Sequence, residues 1–354
     1  MKAIIFHHID NDGYGAARVT YDAYVKSGIP SKYISFVKVN YNMEGGVGGT
    51  ILRYLEDNID PMFVSSGEYK VAIVDLSIND STLFSNILTY GVGHIDWIDH
   101  HQTSIDFAKA MIGKPGFYGM HQEKIAGGDI YDTYTMGIMD CGDAYISNSK
   151  SAALLCWEYF NPDLKNDPPE VLKLISDHDT FEHKLKNSIP FFYGSAMYEL
   201  DDMTLNWEYL LHNSKFVHKV IEDGEFIMHI NETNYAAIMR NAFKFKLRLF
   251  CSDDKYEEYS CIAVNSGFGN SFIFGDEYDK NDICIKFCID QNRNYTYTLY
   301  SKNLKFMNTI AEKYGGGGHP GAAGFTTPYF MFANLEHDLR DDKLVWSVVL
   351  KTSE

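Results

Sequence analysis

KAIIFHHIDNDG (Lys2–Gly13) sets the reading of the whole chain. Lys2–Phe6 is a short apolar run of strand type, closed by a polar, glycine-containing turn that carries two histidines and two aspartates. Tyr14–Lys26 follows with helical spacing (Ala17, Tyr21, Tyr24, Val25) and stops at Gly28-Ile29-Pro30. Working outward, Tyr33–Val39 reads as a strand, Thr50–Asn58 as a helix, Lys70–Val74 as a buried strand, Ser81–Tyr90 as a helix and His94–Ile98 as a strand. This βαβα order predicts an α/β protein whose N-terminal part is an open, mostly parallel sheet with helices on both faces. Asp10 and Asp12 fall after the first strand, Asp75 caps the third, and Asp99, His100 and His101 follow HIDWI (94–98). All lie at strand C-terminal ends, where such a sheet forms its ligand crevice.

Beyond residue 112 the rhythm breaks. Residues 113–147 are rich in glycine, tyrosine and aspartate and read as loops and short turns. Lys150–Tyr159 is a buried helix, and Val171–Ser176 leads into Asp177-His178-Asp179-Thr180. Residues 201–247 read as mostly helical, followed by β-type segments around 259–264, 282–289 and 294–300. A helix-like stretch, Met307–Tyr314, runs into GGGGHPG (315–321). The expected organisation is a catalytic domain over 1–185, a helical connector over 186–246 and a smaller C-terminal α/β domain over 247–354. No internal repeat is evident.

Bulk composition narrows the partners. The 354 residues carry 31 basic and 48 acidic side chains, a net charge of −17. Long duplex nucleic acid draws its affinity from lysine and arginine against phosphates, so it is not expected as a partner. The balance favours a small anionic substrate. No run of eighteen apolar residues exists and the start does not read as a secretory signal, so the expectation is a cytoplasmic protein without a membrane role. The six cysteines form no CxxC pair and read as reduced, mostly buried thiols. The chain is compatible with a homodimer.

Asp10, Asp12, Asp75 and Asp177, taken as one site, would repel one another strongly unless cations intervene. Two divalent ions balance four carboxylates, and His8 and His100 would complete the coordination. Mixed oxygen and nitrogen donors without thiolate suit Mn²⁺ first, then Mg²⁺, Co²⁺ or Fe²⁺. Such a pair of ions activates hydroxide at neutral pH and clamps a phosphoryl group.

His8-x-Asp10-x-Asp12-Gly13, the strand-end Asp75 and Asp99-His100-His101 resemble the first three motifs of the DHH phosphoesterase superfamily. GGGGHPGAAGF (315–325) looks like the hallmark of its DHHA1 branch, which includes RecJ exonucleases, nanoRNases and cyclic-dinucleotide phosphodiesterases. The resemblance spans residues 8 to 325. It implies that Asp75 bridges two metals, one held with His8 and Asp10, the other with Asp12, His100 and Asp177. It also implies that His101 faces the scissile phosphate, with Asp99 orienting the histidines. Asp179 is the alternative to Asp177, which is favoured on the family's habit of placing this ligand at the end of an apolar segment. Gly316, Gly317, Gly318 and His319 would bind substrate. Relatives often carry Ser-Leu-Arg-Ser upstream; here the stretch is Thr298-Leu299-Tyr300-Ser301, without the arginine.

Plainer readings apply elsewhere. His7 points into the sheet more readily than to a metal, and Asp96 reads as a polar cap. His121, His178 and His183 read as surface or supporting groups. Gly45-Gly46-Val47-Gly48-Gly49 lacks a P-loop lysine and reads as a flexible turn. The expected activity is metal-dependent hydrolysis of short oligonucleotides or of linear or cyclic dinucleotides. The alternatives are a RecJ-like single-strand 5′ exonuclease and a non-catalytic nucleotide-binding or sequestering protein.

Overall fold

A computed structural model describes residues 1–59, 67–126, 129–200, 205–252, 255–334, 336–338 and 343–349. The chain divides into two compact units, Met1–Met228 and His229–Glu354.

The first unit begins with β1 (Lys2–His7), α1 (Asn11–Lys26), β2 (Ile34–Lys38), α2 (Gly46–Asn58), β3 (Tyr69–Val74), α3 (Thr82–Leu88), β4 (Val92–Asp99) and α4 (Gln102–Met111). Three strands follow, β5 (Phe117–Ala126), β6 (Asp129–Ile138) and β7 (Gly142–Ser147), then α5 (Ala152–Phe160), α6 (Glu170–Asp179), α7 (Ser188–Ser195), α8 (Leu205–His212) and α9 (Ser214–Met239), within which the division between the units falls. The seven strands lie in the order β2-β1-β3-β4-β7-β6-β5. Every pairing from β2 to β7 is parallel, and β6 and β5 add an antiparallel margin.

Alternate residues of the central strands feed two cores. Ala3 and Ile5 of β1 and Ala72 and Val74 of β3 pack with α1, α5 and α6, whereas Ile4, Phe6, Val71 and Ile73 pack with α2, α3 and α4. Strand segments buried on both faces must be apolar throughout, which is why Ala3–Phe6 and Val71–Val74 are uninterrupted apolar runs. The strand order reverses beside β1, so the C-terminal ends of β1 and β3 border the crevice that such a reversal opens.

Three local expectations are corrected. Residues 117–126, 129–138 and 142–147 are strands, not loops. Tyr118 through Ile125 are exposed, so this part of β5 shows no buried alternation that would mark a strand. Gly46–Gly49 form the first turn of α2 rather than a flexible turn, because Val47, Ile51 and Leu55 bury one helical face. Phe243–Leu247 begins a strand rather than ending a helix.

The second unit holds a sheet in the order β12-β13-β11-β10-β9-β8-β15-β14. Its strands are β8 (Phe243–Ser252), β9 (Lys255–Asn265), β10 (Ile283–Ile289), β11 (Tyr295–Tyr300), β12 (Gly317–His319), β13 (Ala322–Thr327), β14 (Glu336–Asp338) and β15 (Lys343–Val349). The short α10 (Glu277–Lys280) precedes β10, and α11 (Met307–Lys313) lies on the sheet through buried Met307, Ile310 and Ala311. The α/β character read from the sequence holds for both units. Among the described residues no helix is long and apolar enough to cross a membrane, and the described cysteines carry no disulfide.

In the first unit α7 and α9 touch backbone to backbone. A Cβ on Gly224 would lie 1.7 Å from the Pro190 carbonyl oxygen, and one on Gly194 would lie 1.8 Å from that of Val220. Gly224→Ala should therefore force the helices apart and cost about 1–3 kcal/mol or more. Urea unfolding will read this as a lowered midpoint; an unchanged midpoint would contradict the close crossing.

Candidate metal centre

The first two ligand candidates are built by the turn after β1. Asp10 is the N-cap of α1, its Oδ1 accepting the Gly13 N–H at 2.8 Å, which satisfies a donor that a helix start leaves open. Its Oδ2 meets His8 Nδ1 at 2.6 Å. Gly13 has to be glycine there, because a Cβ would sit 2.4 Å from the His8 carbonyl oxygen. Asp12 is buried in the first turn of α1 and accepts the Ala152 and Ala153 N–H groups at 2.7 and 2.8 Å. It thus lies on the N-terminus of α5, where the helix dipole favours a carboxylate.

Asp75 follows β3 with φ of +57°. For a residue other than glycine this left-handed conformation costs about 1–3 kcal/mol, strain that collects at functional sites. His100 Nε2 lies 3.2 Å from Asp179 Oδ2, 3.4 Å from Asp75 Oδ1 and 3.6 Å from Asp12 Oδ2. The buried oxygens Asp75 Oδ2 and Asp179 Oδ2 nevertheless make no hydrogen bond.

His101 is held from behind. Its Nδ1 bonds Asp99 Oδ1 at 2.8 Å, and Asp99 Oδ2 accepts a short hydrogen bond from the Ser104 hydroxyl. Ser77 Oγ lies 3.5 Å from the same oxygen and accepts from Thr103 Oγ1 at 2.7 Å. The Tyr41 ring packs on both His8 and His101, with centroids 5.4 and 5.8 Å away, and its hydroxyl accepts the Ser77 N–H at 3.0 Å.

Electrostatics follow from this crowding. Burial, then the charge of Asp12, pushes the Asp75 carboxyl well above its ordinary range, and the same two causes push Asp179 up to about 7. Burial also raises Asp12. Burial opposes charge on His8, but the hydrogen bond to Asp10 and the nearby carboxylate of Asp75, 3.7 Å away, outweigh it and push the imidazole up to about 10. His100 and His101 are raised too, the charges of Asp179 and Asp99 respectively overcoming burial. Asp99, despite its burial, is held down to about 2 by His101.

Donor atoms converge in three overlapping groups: His8, Asp10 and Asp75; Asp12, His100 and Asp179; Asp75, His100 and His101. Each group's atoms lie within 4.8 Å of one another. Buried carboxylate oxygens without a hydrogen bond, beside imidazole nitrogens, fit a divalent cation of the Mn²⁺ or Mg²⁺ type. Asp75 joins the first group to the third, and His100 joins the third to the second.

Of the residues singled out in the sequence, His8, Asp10, Asp12, Asp75, Asp99, His100 and His101 meet at this centre. Asp177 does not, and the order of preference with Asp179 is reversed. Both lie on α6, and positions two apart on a helix face away from each other. Asp177 instead takes the Lys184 and Leu185 N–H groups at 2.8 and 3.0 Å. His7 is buried in the sheet with Nδ1 on the His8 carbonyl oxygen at 2.8 Å. Asp96 lies within β4, where Tyr24, Lys70, His94 and Tyr159 surround it. Tyr41, Ser77 and Ser104 carried no motif signal; Ser104 becomes visible only once a helix is placed directly after DHH.

In the second unit, Gly316, Gly317 and Gly318 belong to the β12–β13 hairpin. A Cβ on Gly316 would meet the Gly324 carbonyl oxygen at 2.1 Å, and Gly318 has φ of +137°. These two glycines therefore have a folding reason of their own. The His319 side chain lies outside the described residues.

No family model matches the chain. Over 186 residues, 49% of its length, it is 28% identical to the uncharacterized protein R106 of Acanthamoeba polyphaga mimivirus, and the match spans 40% of that protein. Solved structures to which it is similar include the pGpG-specific phosphodiesterase PggH from Vibrio cholerae, at 12% identity and a TM-score of 0.48, with 92% of this chain and 93% of that one covered. Another is RecJ in complex with Mn²⁺ from Thermus thermophilus, at 12% identity and a TM-score of 0.45, with 98% of this chain and 53% of RecJ covered.

Protons and cations compete for this centre. With Asp75 and Asp179 raised and His8 at about 10, the cation-free cluster holds protons near neutrality, and cation binding must release them. Raising the pH from 6 to 8 removes competing protons, so Mn²⁺ affinity should rise. Calorimetry in buffers of different ionisation enthalpy should count at least one proton released; pH-independent binding would contradict the cluster. Asp179→Asn should weaken Mn²⁺ binding about tenfold or more. Asp177→Asn should lower the melting temperature while leaving the number of bound ions unchanged, and equal losses of Mn²⁺ in both variants would undo the distinction.

Proposed function

We propose that this chain is a metal-dependent phosphodiesterase of the DHH/DHHA1 type that hydrolyses short oligonucleotides or linear or cyclic dinucleotides. The observation that carries the reading is the set of three donor groups joined through Asp75 and His100. In this reading His8, Asp10 and Asp75 would hold one divalent ion, and Asp12, His100 and Asp179 would hold a second. Mn²⁺ is the preferred ion and Mg²⁺ or Co²⁺ the substitutes. What such ions supply is Lewis acidity toward phosphoryl oxygens and a more acidic attacking water.

The chain's own residues do the rest. Asp99, ionised and bonded to His101 Nδ1, stabilises the protonated imidazole and leaves its Nε2–H to donate to a phosphoryl oxygen. Ser104 fixes the Asp99 carboxylate, and Tyr41 packs on the rings of both His8 and His101, limiting their rotation. Gly316, Gly317, Gly318 and His319 of the second unit are the proposed grip on the nucleotide. The charge of −17 supports a short substrate rather than a long duplex.

The test is hydrolysis of a labelled panel, di- to pentanucleotides and cyclic dinucleotides, with Mn²⁺. Wild type should cleave at least one of these, and Asp75→Ala should lose about a thousandfold or more, since metal stabilisation of the transition state contributes several kcal/mol. Tight nucleotide binding without turnover would point to a sequestering protein instead. Faster degradation of a long single strand than of a trinucleotide would point to an exonuclease.

A further inference from the structure

Beside the metal centre, and still within the first unit, lies a group of aromatic side chains that the reaction does not use. α6 ends at Asp179, and Asp177 folds the following segment back: its carboxylate takes the Lys184 and Leu185 N–H groups and its carbonyl takes that of His183. Within this segment Phe181 has φ of +55° and His183 has φ of +48°, conformations that bulky side chains rarely adopt. Phe181 is 67% exposed. The His178 ring is stacked on Phe192 of α7, with centroids 3.9 Å apart and planes inclined by 10°. A cavity of about 140 Å³ is lined both by Asp10, Asp12 and Asp179 and by His178, Phe181 and Phe192.

We propose that this cavity seats the nucleobase next to the reacting phosphate, with Phe181 and the His178–Phe192 pair as its stacking surface. The inference rests on the phosphodiesterase reading of the metal centre and names where that substrate's base goes. The lining combines two chemistries. Three of its carboxylates are cation-ligand candidates, so a loaded centre draws a phosphate to that part of the wall. The remainder, Asn11 apart, is aromatic or aliphatic (Leu174, Ile175, His178, Phe181, Phe191 and Phe192) and without lysine or arginine, which suits the apolar face of a ring rather than a second anion. A nucleoside phosphate carries both groups at one short separation. A lipid phosphate would need a longer apolar channel than 140 Å³ provides. Stacking accepts every base, so the cavity selects for the presence of a base and discriminates weakly among the four.

The experiment uses the full chain in Mg²⁺ and a phosphorothioate-linked dinucleotide with 2-aminopurine at either position, read by its fluorescence. Wild type should quench the probe at one of the two positions. Phe181→Ala, at an exposed position that the core does not depend on, and Phe192→Leu should each weaken binding about fivefold or more and relieve the quench, while Phe181→Tyr restores both. A dinucleotide lacking the base at that position should bind wild type about as weakly as the full probe binds Phe181→Ala. Equal affinity and quench in wild type and both variants would overturn the stacking surface while leaving measured hydrolysis, and hence the phosphodiesterase reading, intact. Failure of wild type to bind the probe, together with failure to cleave any di- to pentanucleotide or cyclic dinucleotide, would overturn both.

Discussion

Asp12, Asp75 and Asp179 bring three carboxylates together in a largely buried space, and their mutual repulsion sets the terms for everything around them. Burial and repulsion raise all three, and the neighbouring imidazoles of His8 and His100 take up protons in response. The cluster is not fully satisfied from within, since Asp75 Oδ2 and Asp179 Oδ2 are buried without a hydrogen bond. A divalent cation offers what protons do not, positive charge shared among several oxygens at once. The scaffold holds the carboxylates in place against their repulsion. Asp12 rests on the N-terminus of α5, Asp10 caps α1, and Asp75 is kept in a left-handed conformation with its N–H bonded to the Ile98 carbonyl oxygen at 3.0 Å.

That scaffold explains why so much of the centre was legible in the sequence. β1 and β3 are buried on both faces, so their apolar runs end abruptly where the strands leave the sheet. Polar residues at those ends stand out against the runs before them, and Asp10, Asp12 and Asp75 were all found in this way. The signal fails where burial fails. Most of β5 is exposed, and its residues therefore carry no apolar alternation to read. α2 shows the opposite failure: three glycines in its first turn argue against a helix, but the apolar positions Val47, Ile51 and Leu55 dominate once there is a sheet to pack against. The start of β8 was legible, since Phe243, Phe245 and Leu247 alternate with lysines, yet the long helical pattern before it masked the change of period.

The glycines of the second unit qualify what a motif can say. GGGGHPG reads as a phosphate cradle, but Gly316 and Gly318 are required simply for the β12–β13 hairpin to close on itself. A run of glycines marks close backbone approach, and the sequence does not say whether the approaching partner is a ligand or the chain itself. Tyr300, which stands where the resemblance to the DHHA1 branch leads one to expect an arginine, pairs with Cys284 and Ala322 in the sheet and lies near the Phe274 ring. Any contribution to substrate grip from this position differs in kind from that of a guanidinium.

The choice between Asp177 and Asp179 turned on helical phase, which spacing alone does not reveal until the helix's buried face is known. Val171, Leu174 and Ile175 fix that face, and the two aspartates then point apart. Asp179 turns to the candidate metal centre and Asp177 to the backbone of residues 183–185. One short helix thus places a ligand candidate and, two residues away, the clamp that shapes the segment carrying Phe181. Movement of α6 would shift both together, so the position of the carboxylate and that of the aromatic surface are tied by the rigidity of a single helical turn. A substrate that needs its phosphate and its base held at a fixed separation is served by that coupling, and separate loops would not provide it.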